Sequence, residues 1–167
     1  MKSQNEKWYR TKISELWPGV QEKALTETTY NELLELHDEL IALRNDKELN
    51  TRDDVLSRAL VHELAGFADK AHADYRHLIE TTPKDAEPYS RAASLFLKEG
   101  RLPEALEHVQ KAIELALFKI YDIELRGKIF TAMGRHEEAK KDKQEVAAYH
   151  EQEAAKWDDP NHYYNYK

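Results

Sequence analysis

The sequence predicts an all-α fold in which short helices pair as helix-turn-helix units and stack into a solenoid. Strand signals are poor, because β-branched residues are scattered and no Asn-Gly or Asp-Gly turn occurs. Pro83, Pro88 and Pro103 fall where helices should stop or start. Glycine and small residues also recur every 34 residues. A period of that length in helix pairs is the signature of a stacked helical repeat.

Hydrophobic periodicity and helix-end signals together predict eight helices. Thr29 with Glu32, and Thr51 with Asp54, have the spacing of a capping box ahead of an apolar-periodic run. Pro103 suits the first turn of a helix. The predicted helices span roughly residues 4–16, 28–46, 52–64, 68–81, 86–98, 103–117, 119–133 and 136–156.

Three blocks carry the repeat, at residues 52–85, 86–119 and 120–153. Glycine at the shared turn position supplies a backbone conformation that a side chain would penalise. Small residues inside the pair let its two helices approach closely. The shared columns are Gly66, Gly100 and Gly134; Ala71, Ala105 and Ala139; Ala59, Ala93 and Gly127; Val55, Tyr89 and Ile123; and Leu78, Ala112 and Val146.

These residues resemble the pattern of the tetratricopeptide repeat (TPR) family over about 100 residues. The sequence departs from the pattern at Arg58, His62, Arg126 and Lys143. The resemblance implies a right-handed α-solenoid of three TPR-like repeats. The middle block is the best match, with Tyr89, Ala93, Phe96, Gly100, Pro103, Ala105 and Ala112 at family positions.

The remaining residues are predicted to flank the repeats. Residues 1–51 form an N-terminal helical extension, which we expect to cap the leucines of the first repeat because large exposed apolar clusters are uncommon. Residues 154–167 form a C-terminal tail containing Trp157, Tyr163, Tyr164 and Tyr166. We expect this tail to cap the third repeat, and the alternative is that its rings contact a partner.

The composition argues against several classes of protein. No apolar run approaches the length of a membrane-spanning helix, and the N-terminal residues lack a secretory signal. Without cysteine there is no disulfide or thiolate chemistry, so a cytoplasmic location is expected. A formal net charge of −7 argues against nucleic-acid binding.

No catalytic, cofactor or metal site is predicted. The segment "HELAG" at residues 62–66 begins like a zinc-protease helix but has Gly66 in place of the second histidine. His62 is therefore expected to pack or to form a hydrogen bond in the first repeat. The sequence contains no GxGxxG, phosphate-binding loop or nucleophile elbow. We predict that the protein is not an enzyme.

The TPR resemblance implies that the first helices of successive repeats line a groove for a peptide or a partner protein. One well-known variant holds chaperone tails with Lys and Asn at set groove positions. Those positions here are Leu56, Leu60, Ser94, Glu124 and Lys128, of which only Lys128 would serve, so a chaperone-tail clamp is not expected. The predicted partner-binding residues are Glu63, Ser90, Ser94, Leu97, Lys98, Tyr121, Glu124, Lys128 and Thr131.

The leading functional prediction is a non-catalytic module for protein-protein interaction. The segment 26–48 is rich in Asp and Glu, and is either a solvated helix face or a docking face for a basic partner. The alternative function is an immunity or antitoxin-type inhibitor, which would cover the active-site face of a toxin, such as a basic nuclease.

Overall fold

The computed structural model describes residues 5–21 and 25–158. These residues form eight α-helices and no strand, as the sequence predicts. The helices are α1 (Glu6–Gln21), α2 (Glu27–Asn45), α3 (Arg52–Leu64), α4 (Ala68–Thr81), α5 (Ala86–Lys98), α6 (Leu102–Leu115), α7 (Ile120–Ala132) and α8 (His136–Asp158).

The chain divides into two compact units, Met1–Pro83 and Lys84–Lys167. In the first unit α1 packs on α2, α2 on α3 and α3 on α4; in the second, α5 packs on α6, α6 on α7 and α7 on α8. The boundary falls inside the repeat segment, just before the end of the first predicted block. The division into an extension, three repeats and a tail stays a prediction, and the tyrosines of the tail lie outside the described residues.

The turn inside each predicted repeat is built in the same way. Gly66, Gly100 and Gly134 have φ angles of 82°, 73° and 73°. A side chain would be strained there, which explains the recurrence of glycine. The following residue closes each turn by donating its backbone N–H to the carbonyl five residues earlier, in the bonds Phe67 to His62, Arg101 to Phe96 and Arg135 to Phe130.

The observed helix ends differ from the predicted ones in three respects. Helix α1 continues through Pro18 to Gln21, because a proline near the end of a helix removes only one of its hydrogen bonds. Helix α2 is capped by Thr26, whose side chain accepts a hydrogen bond from the Thr29 N–H, so the predicted cap at Thr29 is wrong. Thr51 precedes α3 but makes no side-chain cap.

Each unit has its own core. In the first unit Leu33 of α2 is fully buried and packs with Tyr30 and Val61. In the second unit α5 packs on α6, and the repeat alanines Ala93 of α5 and Ala105 of α6 are both 0% exposed. Small side chains at these positions therefore set a close approach of the two helices.

This close approach gives a prediction. Ala105→Leu should destabilise the protein by about 1–3 kcal/mol, because overpacking forces neighbouring side chains and backbone to shift. Glu107→Leu adds a leucine at an exposed position of the same helix and should cost about 0.5 kcal/mol or less. Thermal unfolding of both variants checks this, and equal melting temperatures would contradict the repeat register.

Two helix pairs are held by the same bidentate ion pair. Arg58 of α3 donates to the Asp74 carboxylate of α4 with N–O distances of 3.0 and 2.6 Å. Arg126 of α7 donates to Asp142 of α8 at 2.9 and 2.6 Å. Both aspartates are buried. Hydrogen bonding to the carboxylate is the main reason why the pKa of each guanidinium is raised.

The middle pair lacks this contact. The equivalent positions hold Ala92, which is 2% exposed, and His108. The His108 ring lies beside the Phe96 ring, with a centroid distance of 4.9 Å. The α5–α6 pair therefore has apolar and ring contacts at the positions where the α7–α8 pair has the Arg126–Asp142 ion pair.

Candidate functional site

The predicted partner-binding residues are divided between the two units. Glu63 is the only one of the nine in the first unit, where it lies half-buried on α3. Its carboxylate accepts a hydrogen bond from the Tyr75 hydroxyl at 2.9 Å. This contact holds α3 against α4, so Glu63 has a role within its own unit.

On α5 the predicted residues are half-buried, except for the exposed Lys98. Ser90 lies beside Asp122 of α7, whose carboxylate oxygen Oδ1 is buried and has no hydrogen-bond partner among the described residues. Burial raises the pKa of Asp122, because it disfavours the charged form, and the Ser90 hydrogen bond offsets part of this. Ser90 therefore contributes to the contact between α5 and α7.

The other predicted residues lie along one exposed face of α7. Tyr121, Glu124, Lys128 and Thr131 follow helical spacing, and we call this face the α7 stripe. Glu124 and Lys128 form an ion pair of 2.7 Å, which is the main reason why the pKa of Glu124 is lowered. Three members of the stripe line a shallow pocket of about 340 Å³ between α7 and α8, together with Gly127, Ala139, Lys143 and Val146.

A second surface surrounds the turn between α6 and α7. Leu117 is 94% exposed, Phe118 is 83% exposed and Tyr121 is 77% exposed. Leu117 and Phe118 line a pocket of about 380 Å³ with Tyr149 of α8. We call Leu117, Phe118, Tyr121 and Tyr149 the corner patch. Of these residues, only Tyr121 is among those predicted from the sequence to bind a partner. The two consecutive large apolar residues Leu117 and Phe118, next to a predicted helix end, were a further signal.

The outer face of α2 is acidic, as the sequence predicts. Glu32, Glu35 and Glu39 are exposed and lie on one side of the helix. Asp38, also exposed, pairs with Arg58 at 2.6 Å. Glu32 and Glu35 have no ion-pair partner in the part of the chain that the structure describes. These two carboxylates are therefore available to a basic group from outside.

His62 has a structural role in the first unit. Its Nδ1 lies 3.0 Å from the Tyr30 hydroxyl of α2, and burial lowers its pKa. Within residues 5–21 and 25–158, no three His, Asp or Glu side chains are grouped in a way that could hold a metal ion. None of the described helices combines the length and apolar character that crossing a bilayer requires.

Comparison with known proteins identifies the fold. Neither a protein-family model nor a curated protein sequence matches this chain. Solved structures do match: a crystal structure of MamA has a TM-score of 0.62 at 16% identity and covers 93% of this chain and 99% of MamA. A double mutant of MamA RS-1 reaches 0.66 at 18% identity, covering 89% of this chain and 83% of its own.

A third structure, MamA MSR-1, has a TM-score of 0.62 at 19% identity and covers 89% of this chain and 98% of its own. MamA has the TPR fold. Identities at this level establish a common fold and nothing further. The predicted fold class, an α-solenoid of TPR-like helix pairs, is therefore confirmed.

Proposed function

We propose that this protein is a non-catalytic interaction module that binds a partner protein or peptide through the corner patch and the adjoining α7 stripe. The exposure of Leu117 and Phe118 carries this proposal. A soluble chain rarely leaves two neighbouring side chains of this size in water unless they meet another surface. Aromatic residues such as Phe118 and Tyr121 are also the residues that most often dominate binding energy.

The polar groups beside the patch suit specificity more than catalysis. Glu124 and Lys128 form an exposed ion pair beside the patch. At the rim of an interface, such charges select a partner and fix its orientation. Ser94, Leu97 and Lys98 of α5 belong to the same unit and complete the surface predicted for the groove.

The experiment is affinity isolation of the native partner, followed by measurement of its dissociation constant with purified variants. Phe118→Ala should weaken binding by about tenfold or more, since truncating a hot-spot aromatic costs about 2 kcal/mol or more. The melting temperature should not change, because the ring is 83% exposed. Glu107→Ala, an exposed change on α6, is the matched control, and equal affinities for both variants would contradict the proposal.

One observation favours the second candidate, an inhibitor that covers a basic toxin. The exposed carboxylates of Glu32 and Glu35 on α2 would attract a basic surface and accelerate association at low salt. The same binding assay separates the candidates. The inhibitor hypothesis expects Glu35→Lys to weaken binding strongly while Phe118→Ala leaves it unchanged.

A further inference from the structure

The face formed by α7 and α8 can be compared with the equivalent positions on α5 and α6, one repeat earlier in the same unit. The positions one repeat before the pocket residues of α7 and α8 lie on α5 and α6, and both of these helices contact α7. Ser90, at the position of Glu124, contacts Asp122 of α7. Val109, at the position of Lys143, is 0% exposed. One face of this kind thus already receives a helix.

The α7–α8 face has small residues at the same repeat positions as the α5–α6 face, but its residues are less buried. Gly127, Ala139 and Val146 occupy the positions of Ala93, Ala105 and Ala112. All three residues of the α5–α6 face are fully buried, whereas their counterparts are only half-buried. No described helix packs on the α7–α8 face. The groove between α7 and α8 therefore has the shape of a helix-docking site.

The charges on this face differ from those on its counterpart. Lys143 replaces the buried Val109, and Lys140 lies three residues earlier on the same side of α8. Both lysines are exposed, and neither has an ion-pair partner among residues 5–21 and 25–158. Lys128 is already neutralised by Glu124. A helix docked here would meet a net positive edge, in a chain whose formal charge is −7.

We propose that the α7–α8 face binds an amphipathic α-helix of a partner protein, with a narrow apolar stripe flanked by carboxylates that pair with Lys143 and Lys140. The stripe would lie over Gly127, Ala139 and Val146. This proposal rests on the proposed interaction function and names the element of the partner that is recognised. A basic helix is disfavoured, because its charges would face the two lysines.

Two stapled helical peptides of about the length of α7 test the proposal. Both carry the same stripe of Ala and Leu, and they differ only in having Glu or Lys at the flanking positions. Fluorescence anisotropy with the full chain should show that the Glu peptide binds about tenfold more tightly than the Lys peptide, with a difference that shrinks as salt rises. Lys143→Glu should abolish or reverse this preference.

Lys141→Glu is the control, since it makes the same charge change on the opposite side of α8. It should leave the preference intact. Equal affinities of the two peptides, or no binding of either, would overturn the proposal. If the peptides bind only after residues 159–167 are removed, the proposal would also be overturned, because the occupant of the face would then be the chain's own tail. None of these results would affect the Phe118→Ala test of the proposed function.

Discussion

Replacing Leu33 with alanine should destabilise the first unit by about 2–5 kcal/mol. The Leu33 side chain is 0% exposed and joins α2 to α3 through Tyr30 and Val61. Removing it leaves a cavity that the surrounding helices can fill only in part. This loss would be large compared with the total stability of a small domain.

Leu49→Ala is the matched control for this prediction, because Leu49 is 41% exposed. It should cost about 0.5 kcal/mol or less. Hydrogen exchange resolved by peptide suits the comparison, since it reports the opening of α2 and α3 separately from that of the second unit. Equal exchange rates in the two variants would show that α2 does not contribute to the core of the first unit.

Replacing Asp142 with alanine should destabilise the second unit by about 3 kcal/mol. The variant removes both hydrogen bonds to Arg126 and leaves the guanidinium between α7 and α8 without its carboxylate. Arg126 retains 24% exposure, which places the expected cost at the lower end for a buried pair. Urea denaturation of the full chain measures this loss.

Glu138→Ala breaks another Arg–carboxylate pair, between Glu138 in the first turn of α8 and Arg135 just before that helix, whose side chains are 41% and 40% exposed. Its cost should be about 1 kcal/mol or less, since water screens exposed pairs. The double variant Arg126→Met with Asp142→Leu should recover much of the stability lost in Asp142→Ala, because apolar groups remove the uncompensated charge. Equal losses for Asp142→Ala and Glu138→Ala would contradict this account.

The helices could be predicted from the sequence because their ends are marked locally. Gly66, Gly100 and Gly134 each follow the end of a helix, and their positive φ angles explain why glycine is favoured there. The predicted cap of α2 is wrong because Thr26, Thr28 and Thr29 lie close together, and threonine is suited to the cap position at each of them. The extension of α1 past Pro18 could not be predicted, because a proline inside a helical pattern usually marks the end of a helix.

The candidate surfaces could be predicted only in part. The repeat register placed Tyr121, Glu124, Lys128 and Thr131 on one face of α7, since helical spacing fixes which side chains align. It could not show that Leu117 and Phe118 stay exposed, because exposure depends on what packs against a turn. Arg58 and Arg126 looked like departures from the pattern until the structure placed each against an aspartate sixteen residues later.

The Arg–Asp ion pair joins α3 to α4 and α7 to α8 but is absent between α5 and α6. This difference affects which helices can pair during folding. The small-residue columns make α5 and α7 similar as packing surfaces, so α8 could compete for either helix. Docking on α5 would place Asp142 opposite Ala92, where no guanidinium is available, and would bury a carboxylate without a cation. Such a mispaired intermediate would lie higher in energy than the native α7–α8 pair, where Arg126 neutralises Asp142.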